Sequence, residues 1–307
     1  MPPSPTDPRP NPLAGPGDYT TTTHVHSDTY PAISPLTADL SGKSIFIAGA
    51  SKGIGKAIAL SYARGGASRI ALAARSDLSS LIAELRTAAA EAQRPEPPEI
   101  LPVQIDITDR ASVEAGAKLV ADKFGGKLDI VVHNSGVLNF GNVVEGDPEQ
   151  WWRNWEVNVK GLQLVARSFV PLLLAGQEKT FVAISSVGAH LLSPGLSGYQ
   201  TSKLAVLRLM EFLDAEYADK GLLAYAVHPG NVPGTDILGE GGEIREELRF
   251  VFTETGGVCG DTLVFLTRER RGWLAGRYVN CTWDMPELMM KEEEIVGGDK
   301  LKVRLVL

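Results

Sequence analysis

The sequence predicts an α/β fold, in which a doubly wound sheet of seven parallel strands carries helices on both faces. Three observations lead to this prediction. Short apolar runs alternate with helix-like segments along most of the chain. The first run ends in a glycine-rich turn, residues 48–55, and a helical pattern follows it directly. No internal repeat interrupts the alternation, which is typical of a parallel sheet covered by helices.

The predicted strands are short and apolar on both faces, as buried parallel strands are. We place them at residues 44–49, 69–74, 100–105, 128–133, 180–184, 223–227 and 277–280. In a sheet of this kind, ligands bind at the carboxyl ends of the strands. Every motif described below falls at one of those ends.

The predicted helices follow apolar residues spaced three and four positions apart. We place them at residues 55–64, 79–92, 108–124, 148 to about 175 with a break, and 199–218. Thr108 is a candidate N-cap for the third helix. Towards the end of the chain, residues 287–295 look helical and residues 301–305 look strand-like.

The first 40 residues differ in composition from the rest of the chain. They hold nine of the nineteen prolines. Because proline removes backbone donors and fixes φ, we expect a disordered or draped tail here. The sequence therefore divides into this tail (residues 1–40), one α/β domain (41–285) and a C-terminal extension packed on that domain (286–307).

Charge and cysteine content exclude several classes of protein. The 307-residue chain carries 37 acidic and 30 basic residues, a net charge of −7, which argues against nucleic-acid binding. Two cysteines cannot build a disulfide framework and indicate reduced thiols. We see neither a signal peptide nor an apolar run of the roughly 18 residues that a membrane helix needs. We therefore expect a cytoplasmic protein without a membrane or nucleic-acid partner.

The turn after the first strand is a candidate phosphate site. Gly49 can supply a tight turn, Gly53 lets the backbone approach a pyrophosphate, and Gly55 permits close helix–strand packing. The following helix N-terminus offers free amides and a partial positive charge. A purely structural glycine turn is the alternative. The candidate cofactor-binding residues here are Gly49, Ser51, Lys52, Gly53, Ile54 and Gly55.

The end of the second strand bears on the choice between NAD and NADP. An NAD enzyme places Asp or Glu there for the ribose 2′-hydroxyl, but this strand ends in Arg75. Arg75 and Lys52 can both meet a 2′-phosphate, which favours NADP(H). The alternative is two solvated surface cations. Asp106, after the third strand, can accept from the adenine amino group or can cap the chain beside Thr108.

A second group of residues suits proton transfer to or from an oxygen. Ser186, Tyr199 and Lys203 form Ser-x12-Tyr-x3-Lys, and Tyr199 and Lys203 share one helix face. A phenol has a pKa of about 10, and a nearby ammonium lowers it. Ser186 can polarise a carbonyl, and Asn158 can hold a water that links the lysine to solvent. The set fits acid/base catalysis beside a hydride transfer. An exposed helical Tyr–Lys pair is the alternative.

Together these residues resemble the short-chain dehydrogenase/reductase family in its compact subgroup. The resemblance covers about residues 41 to 285. Its motifs are Gly49-x3-Gly53-Ile54-Gly55, Asp106, His133-Asn134-Ser135-Gly136, Asn158, Ser186, Tyr199, Lys203 and Pro229-Gly230. The family usually has Asn where this chain has His133, which we expect to be a packed or capping residue. The stretch 229–235 is one residue longer than the common form.

The resemblance implies a Rossmann domain, a nicotinamide cofactor and Tyr199 as the acid/base. It implies that Lys203 binds the nicotinamide ribose and that the central helices, near 151–175 and 199–218, form a homodimer or homotetramer. It makes residues 236–256 a lid over the active site, rich in Gly and charge (Gly239, Gly241, Gly242, Glu243, Arg245, Glu246, Glu247, Arg249). Further cofactor contacts implied by the family are Asn134, Gly136, Pro229 and Gly230, together with Val232 and Thr235 at the carboxamide end of the nicotinamide.

The substrate end is less defined by the sequence. Leu191, Leu192, Pro194 and Leu196 are expected to shape an apolar pocket wall. Residues 151–155 hold three tryptophans, which we assign to the core or a subunit interface. The C-terminal extension resembles that of certain fungal reductases of secondary metabolism.

The leading hypothesis is an NADP(H)-dependent oxidoreductase that interconverts a medium-sized, partly apolar ketone or aldehyde and its alcohol, mainly by reduction. The alternatives are a dehydratase, isomerase or epimerase on the same fold, and a cofactor-sensing protein without catalysis. We expect no metal.

Overall fold

Seven parallel strands form one sheet in this computed structural model, which describes residues 11–235, 237, 244 and 246–305. The strands are β1 Ser44–Ala48, β2 Arg69–Ala74, β3 Glu99–Gln104, β4 Ile130–His133, β5 Thr180–Ile184, β6 Leu223–His228 and β7 Tyr278–Asn280. Their order across the sheet is β3-β2-β1-β4-β5-β6-β7. The order in which strands are added reverses between β1 and β4, which makes the topology doubly wound and places a crevice at the carboxyl ends of these two parallel strands. The predicted fold class is confirmed.

Helices cover both faces of this sheet. They are α1 Gly53–Arg64, α2 Ser79–Glu91, α3 Arg110–Phe124, α4 Pro148–Trp155, α5 Gly161–Ala175, α6 Ser197–Tyr217, α7 Gly256–Thr267, α8 Met285–Met290 and α9 Glu292–Gly297. α1 packs against α2 and α7, whereas α3 packs against α5 and α4 packs against α6. The core lies between these two layers and the central strands, whose side chains are buried throughout.

The carboxyl ends of the central strands lie level with one another. Ala48 of β1 pairs with His133 of β4, which pairs with Ala183 of β5. Ile184 pairs in turn with Val227 of β6. The loops that follow these strands therefore open at one edge of the sheet.

The segment Pro148–Ala175 is long and apolar enough to cross a membrane by length and composition, with a mean hydropathy of 1.2 over its 18-residue window. This differs from the sequence expectation that no such run exists. More than half of the window is buried inside the domain, as in the core helix of a soluble protein. The sequence predicted a break in this stretch without locating it, and the structure has a π-helical turn there, Glu156–Lys160.

The described N-terminal residues follow the draped alternative of the sequence expectation, whereas the C-terminal residues depart from what was expected. Residues 11–40 lie against the domain and include two short 3-10 turns, Pro31–Ile33 and Pro35–Thr37, with Ile33 and Leu40 buried. At the other end, the helix expected at 287–295 is two short helices, α8 and α9. The strand expected at 301–305 is wrong: these residues are irregular, and one backbone bond joins Tyr278 N–H to Leu301 O.

Candidate active site

The turn between β1 and α1 brings the backbone of strand and helix into direct contact. Gly49 has φ +76° and Gly53 φ +56°, a region that side chains disfavour. A Cβ placed on Gly55 would lie 2.0 Å from Gly49 O and 2.6 Å from Asn134 Nδ2. Asn134 Nδ2 donates to Gly49 O at 2.8 Å and fixes this turn to the end of β4. Glycine is therefore required at position 55 for packing.

The first turn of α1 fits the pyrophosphate of a dinucleotide. The N-cap residue, Lys52, does not cap the leading N–H groups with its side chain. The N-terminus of a helix is a site where backbone N–H groups can bind an anion. Lys52 and Gly53 are exposed, and Ser51 and Ile54 are half-buried. A Cβ on Gly53 would meet nothing closer than the Thr235 methyl, 3.6 Å away, which leaves space beside the helix end.

Arg75 and Asp106 lie at the edge where the adenine half of a cofactor would be expected. Arg75 follows β2 directly and is exposed. Asp106 Oδ1 accepts from Thr108 N–H and from the Thr108 hydroxyl. These bonds hold the pKa of Asp106 below its usual value, with Arg75 adding a smaller effect. The helix N-cap is Asp109, which accepts from Ala111 N–H, so the N-cap predicted at Thr108 is wrong.

Ser186, Tyr199 and Lys203 converge at the ends of β5 and α6. Tyr199 and Lys203 lie in the first two turns of α6 and are buried, Lys203 with 3% of its surface exposed. Lys203 Nζ donates to Ile184 O at 3.0 Å and stands 5.9 Å from the Tyr199 ring centre. Ser186 Oγ accepts from Gly188 N–H at 3.0 Å and begins a 3-10 turn, Val187–His190.

The pKa of Tyr199 is governed by burial. Burial raises the pKa of the Tyr199 phenol above its usual value, and a hydrogen bond with Ser186 opposes that rise. The expectation that Lys203 lowers the pKa of this phenol is not met in the structure. The lysine is itself affected by burial, which lowers the pKa of Lys203 from 10.5 to about 8.

Asn158 lies in the π-helical turn and supports the neighbouring loop. Its Nδ2 donates to Val137 O at 3.0 Å and to Ser202 Oγ at 2.9 Å, and its Oδ1 accepts from Val137 N–H. A Cβ on Gly136 would lie 3.2 Å from Lys203 Nζ and 3.3 Å from Asn158 Oδ1. Both amide hydrogens are therefore used by protein groups, so a water held by this side chain would have to bind its oxygen.

His133 is packed under this group rather than placed among the reacting atoms. Among the residues that the structure describes, neither ring nitrogen has a hydrogen-bond partner. Burial, with the charge of Lys203 as a smaller cause, lowers the pKa of His133 to about 3. The imidazole is therefore neutral at physiological pH.

The segment after β6 crosses from the end of the sheet towards the glycine turn. Pro229 and Gly230 are buried, and Gly230 has φ +93° with a close approach to Glu254. The Thr235 hydroxyl bonds Val232 O, and the Thr235 methyl reaches Gly53. The structure thus places Thr235 beside the phosphate end of the cleft rather than at the carboxamide end that the resemblance implied.

Only part of the predicted lid is described. Gly239, Gly241, Gly242, Glu243 and Arg245 lie outside the described residues. Residues Glu246–Val251 form 3-10 turns, with an Arg249–Glu246 ion pair at 2.7 Å.

The apolar wall predicted before Tyr199 is only partly buried. Leu191 and Leu196 are half-buried, but Pro194 is exposed and Leu192 is 100% exposed. A second loop, which the sequence reading missed, lies beside this one through a bond from Gly141 N–H to Gly195 O. It adds three exposed apolar side chains, Phe140, Val143 and Val144. The sequence signal for this loop was the apolar pair Val143 and Val144, which lies outside any predicted strand or helix.

Two smaller contributors were also missed. Gly188 packs between Ser186 Oγ and the Tyr199 ring, where a Cβ would lie 3.2 and 3.3 Å away. Ser202 Oγ accepts a hydrogen bond from the side-chain amide of Asn158. A glycine two residues after Ser186 and a serine next to Lys203 were visible in the sequence, but their spacing alone carries no chemistry.

Comparison with known sequences identifies the family of this chain. A family model described as "short chain dehydrogenase" matches residues 43–245. The chain is 52% identical over 298 residues to "Short chain dehydrogenase pigC" of Monascus ruber, covering 97% of each chain. It is 45% identical to "Short chain dehydrogenase citE" of the same species, covering 94% of this chain and 97% of that one.

Solved structures agree at the level of the fold. A short-chain type dehydrogenase/reductase from Mycobacterium ulcerans has a TM-score of 0.68 at 23% identity, covering 79% of this chain and 89% of that one. An NADH-dependent reductase, A1-R′, solved with NAD, has a TM-score of 0.65 at 20% identity, covering 78% and 95%. This chain therefore belongs to the short-chain dehydrogenase/reductase family, whose members are oxidoreductases that use a nicotinamide cofactor on small-molecule substrates.

Proposed function

We propose that the protein is an NADP(H)-dependent reductase that converts a ketone or aldehyde into an alcohol. The observation that carries this proposal is the convergence of Ser186, Tyr199 and Lys203 at the carboxyl ends of the strands that also present the glycine turn. A tuned phenol beside a buried lysine serves no purpose in a protein that only binds a dinucleotide.

The proton chemistry of Tyr199 favours the reductive direction. Because burial raises the pKa of Tyr199, the phenol is protonated at neutral pH and can donate a proton to a carbonyl oxygen. Ser186, already bonded to that phenol, is placed to polarise the same oxygen. The bound cofactor would supply the hydride.

Lys203 and Asn158 complete the arrangement. Lys203 Nζ lies 5.9 Å from the centre of the phenol ring, and we assign this lysine to holding the cofactor rather than to lowering the pKa of Tyr199. Its ammonium has donors beyond the one bonded to Ile184 O, which we assign to the ribose hydroxyls of the cofactor. Asn158 holds the loop that carries Gly136 beside this ammonium.

The preference for NADP(H) follows from charge at the adenine end. Arg75 is exposed directly after β2, and Lys52 is exposed at the N-cap of α1, the neighbouring element. A guanidinium and an ammonium suit a 2′-phosphate, whereas an NAD site uses a carboxylate at the end of β2. Asp106 is oriented by Thr108 and keeps one oxygen for the adenine amino group.

The substrate we propose is a medium-sized, partly apolar carbonyl compound of secondary metabolism. The exposed apolar side chains on the two loops beside the catalytic residues support an apolar substrate. The assignment to secondary metabolism rests on the resemblance of the C-terminal extension to that of certain fungal reductases.

We also propose a cytoplasmic homodimer or homotetramer. Trp152 on α4, and Leu204 and Phe212 on α6, are large apolar side chains exposed on packed helices. Such exposure is typical of a subunit interface.

The test is turnover of NADPH or NADH with a panel of medium-sized ketones and aldehydes, followed by the loss of cofactor absorbance. Tyr199→Phe should bind NADPH as well as the unmodified protein and lose turnover by on the order of 10²–10⁴-fold. Tyr217→Phe, at the far end of the same helix, is the matched control. NADPH binding without turnover of any carbonyl would favour a cofactor sensor, and product without net redox change would favour an isomerase.

A further inference from the structure

The N-terminal segment, residues 11–30, is fixed to the end of the sheet that carries the active site. It lies before residue 43, where the family model begins, so it is an addition to the common domain. Asp18, with 5% of its surface exposed, accepts from Asn280 Nδ2 at 3.0 Å, and its carbonyl accepts from Trp283 Nε1 at 3.2 Å. Backbone bonding continues from His26 N–H to Thr282 O at 2.7 Å. The segment is therefore anchored at β7 and the residues after it.

From this anchor the segment presses against a residue next to the catalytic serine. Asp18 Oδ2 accepts from Gly15 N–H at 2.7 Å, which holds residue 15 in place. A Cβ placed on Gly15 would lie 2.4 Å from Val187 Cγ2, well inside van der Waals contact. Val187 is itself buried, with 3% of its surface exposed. Any larger side chain at position 15 must therefore displace Val187 or be displaced by it.

Val187 belongs to the catalytic turn, residues 186–190. Ser186 Oγ accepts from Gly188 N–H, and Ser186 O accepts from Ala189 N–H, both at 3.0 Å. Gly188 packs against the ring of Tyr199. The catalytic turn thus lies between the N-terminal segment, which contacts Val187, and the tyrosine, which contacts Gly188.

We propose that Gly15 is a positioning residue for catalysis: through Val187, it sets the placement of the Ser186 hydroxyl against Tyr199. This inference rests on the proposed function, because the position of the Ser186 hydroxyl affects catalysis only if that hydroxyl polarises a carbonyl. Misplacement of a reacting group by about 1 Å costs on the order of a hundredfold in rate. The N-terminal segment is then a part of the active-site scaffold rather than a passive tail.

The test is a double-mutant cycle on the full chain. Gly15→Ala introduces the clash, Val187→Ala removes the methyl groups that it meets, and the double variant has both changes. Gly297→Ala is the matched control, because a Cβ there meets nothing within 4 Å. We expect Gly15→Ala to lower kcat by on the order of tenfold or more with unchanged NADPH affinity. Val187→Ala should restore most of that loss in the double variant.

Hydrogen exchange gives a readout that does not require turnover. The Gly188, Ala189 and Leu191 N–H groups all bond within the catalytic turn. Their exchange should accelerate in Gly15→Ala and return towards the unmodified rate in the double variant. Asp18→Asn, which adds no volume but weakens the hold on Gly15, should accelerate exchange at the same amides; it serves as the second variant if Gly15→Ala does not fold.

The outcomes separate this inference from the proposed function. Restored kcat and restored exchange in the double variant support it. Coupled exchange in a protein that reduces no carbonyl would support the positioning contact and count against reductase function. If kcat and exchange in Gly15→Ala match those of Gly297→Ala, or if Val187→Ala restores neither, the positioning role is refuted.

Discussion

Replacing Lys203 by methionine should make the cofactor-free protein more stable at pH 7 while abolishing turnover. Lys203 is buried, and this burial lowers its pKa from 10.5 to about 8. One pKa unit corresponds to 1.36 kcal/mol, so holding the protonated lysine in the fold costs about 3 kcal/mol. Methionine is apolar, of similar length and unbranched, and it removes this cost.

The size of the effect depends on pH in a defined direction. Below pH 8 the lysine is protonated in both folded and unfolded chains, so the full cost is present. Between pH 8 and 10.5 the folded protein releases its proton first. The unfolded chain then binds more protons, and the stability of the unmodified protein rises with pH relative to the variant. The advantage of Lys203→Met is therefore greatest at neutral pH and decreases as the pH rises towards 10.5.

The hydrogen bond that the lysine makes reduces the net gain. Methionine leaves Ile184 O without its donor, which costs about 1–2 kcal/mol. We therefore expect Lys203→Met to raise the free energy of unfolding by about 1–2 kcal/mol at pH 7. Urea unfolding of the cofactor-free proteins at pH 7 and pH 10 measures this difference. Lys127→Met, at an exposed lysine before β4, is the control.

Two results would refute the reasoning. Lower stability of Lys203→Met at pH 7 would mean that the buried ammonium is held by more than Ile184 O. A stability difference that does not change between pH 7 and pH 10 would mean that Lys203 does not titrate in that interval.

Three further changes test other parts of the site. Arg75→Asp should lower the preference for NADPH over NADH by roughly ten- to a hundredfold, because a charge-assisted bond to a 2′-phosphate is lost. This preference is measured as kcat/KM with each cofactor, with Arg86→Asp as the charge-matched control. Unchanged selectivity would show that Arg75 does not bind the 2′-phosphate. Gly55→Ala should abolish NADPH binding and destabilise the fold by about 1–3 kcal/mol, because the added Cβ clashes with Gly49 O. Calorimetry measures the binding and thermal unfolding the stability, with Gly272→Ala as the control, since a Cβ there meets nothing within 4 Å. Equal behaviour of the two variants would contradict the packing argument. Ser186→Ala should lower kcat by on the order of 10²–10³-fold. It should also shift the tyrosine-dependent limb of the pH–rate profile upward, since the hydrogen bond that lowers the pKa of Tyr199 is removed; an unshifted limb would show that the bond is absent in the working enzyme.

The strands of the sheet were predictable because each one can be recognised from its own short stretch of sequence. Strands such as β1, β5 and β6 are buried on both faces and therefore read as continuous apolar runs between glycine and polar residues. The catalytic pair was predictable for a similar reason: Tyr199 and Lys203 lie one turn apart on a single helix, so their spacing in sequence fixes their proximity in space.

Helix α7 was missed because it lacks an amphipathic period. All residues from Val258 to Thr267 are buried, so apolar and small residues occupy every face. A signal was present in Gly256 and Gly260, four residues apart: a Cβ on either would lie within 3.0 Å of Ala57 in α1. Such a pair is interpretable only once the partner helix is known.

The contacts of the N-terminal segment could not be predicted from the sequence of the segment itself. Its prolines correctly indicate a stretch without regular helices or strands, since each proline removes a donor and restricts φ. Irregular backbone can still be fixed in space when its polar groups find partners elsewhere, and here Asp18 finds Asn280 and Trp283, more than 260 residues away. No pattern within the segment encodes those partners, because they are supplied by the end of β7 and the loop after it. Composition therefore constrains the secondary structure of such a segment, whereas its contact with Val187, and any role in catalysis, is determined by the completed sheet.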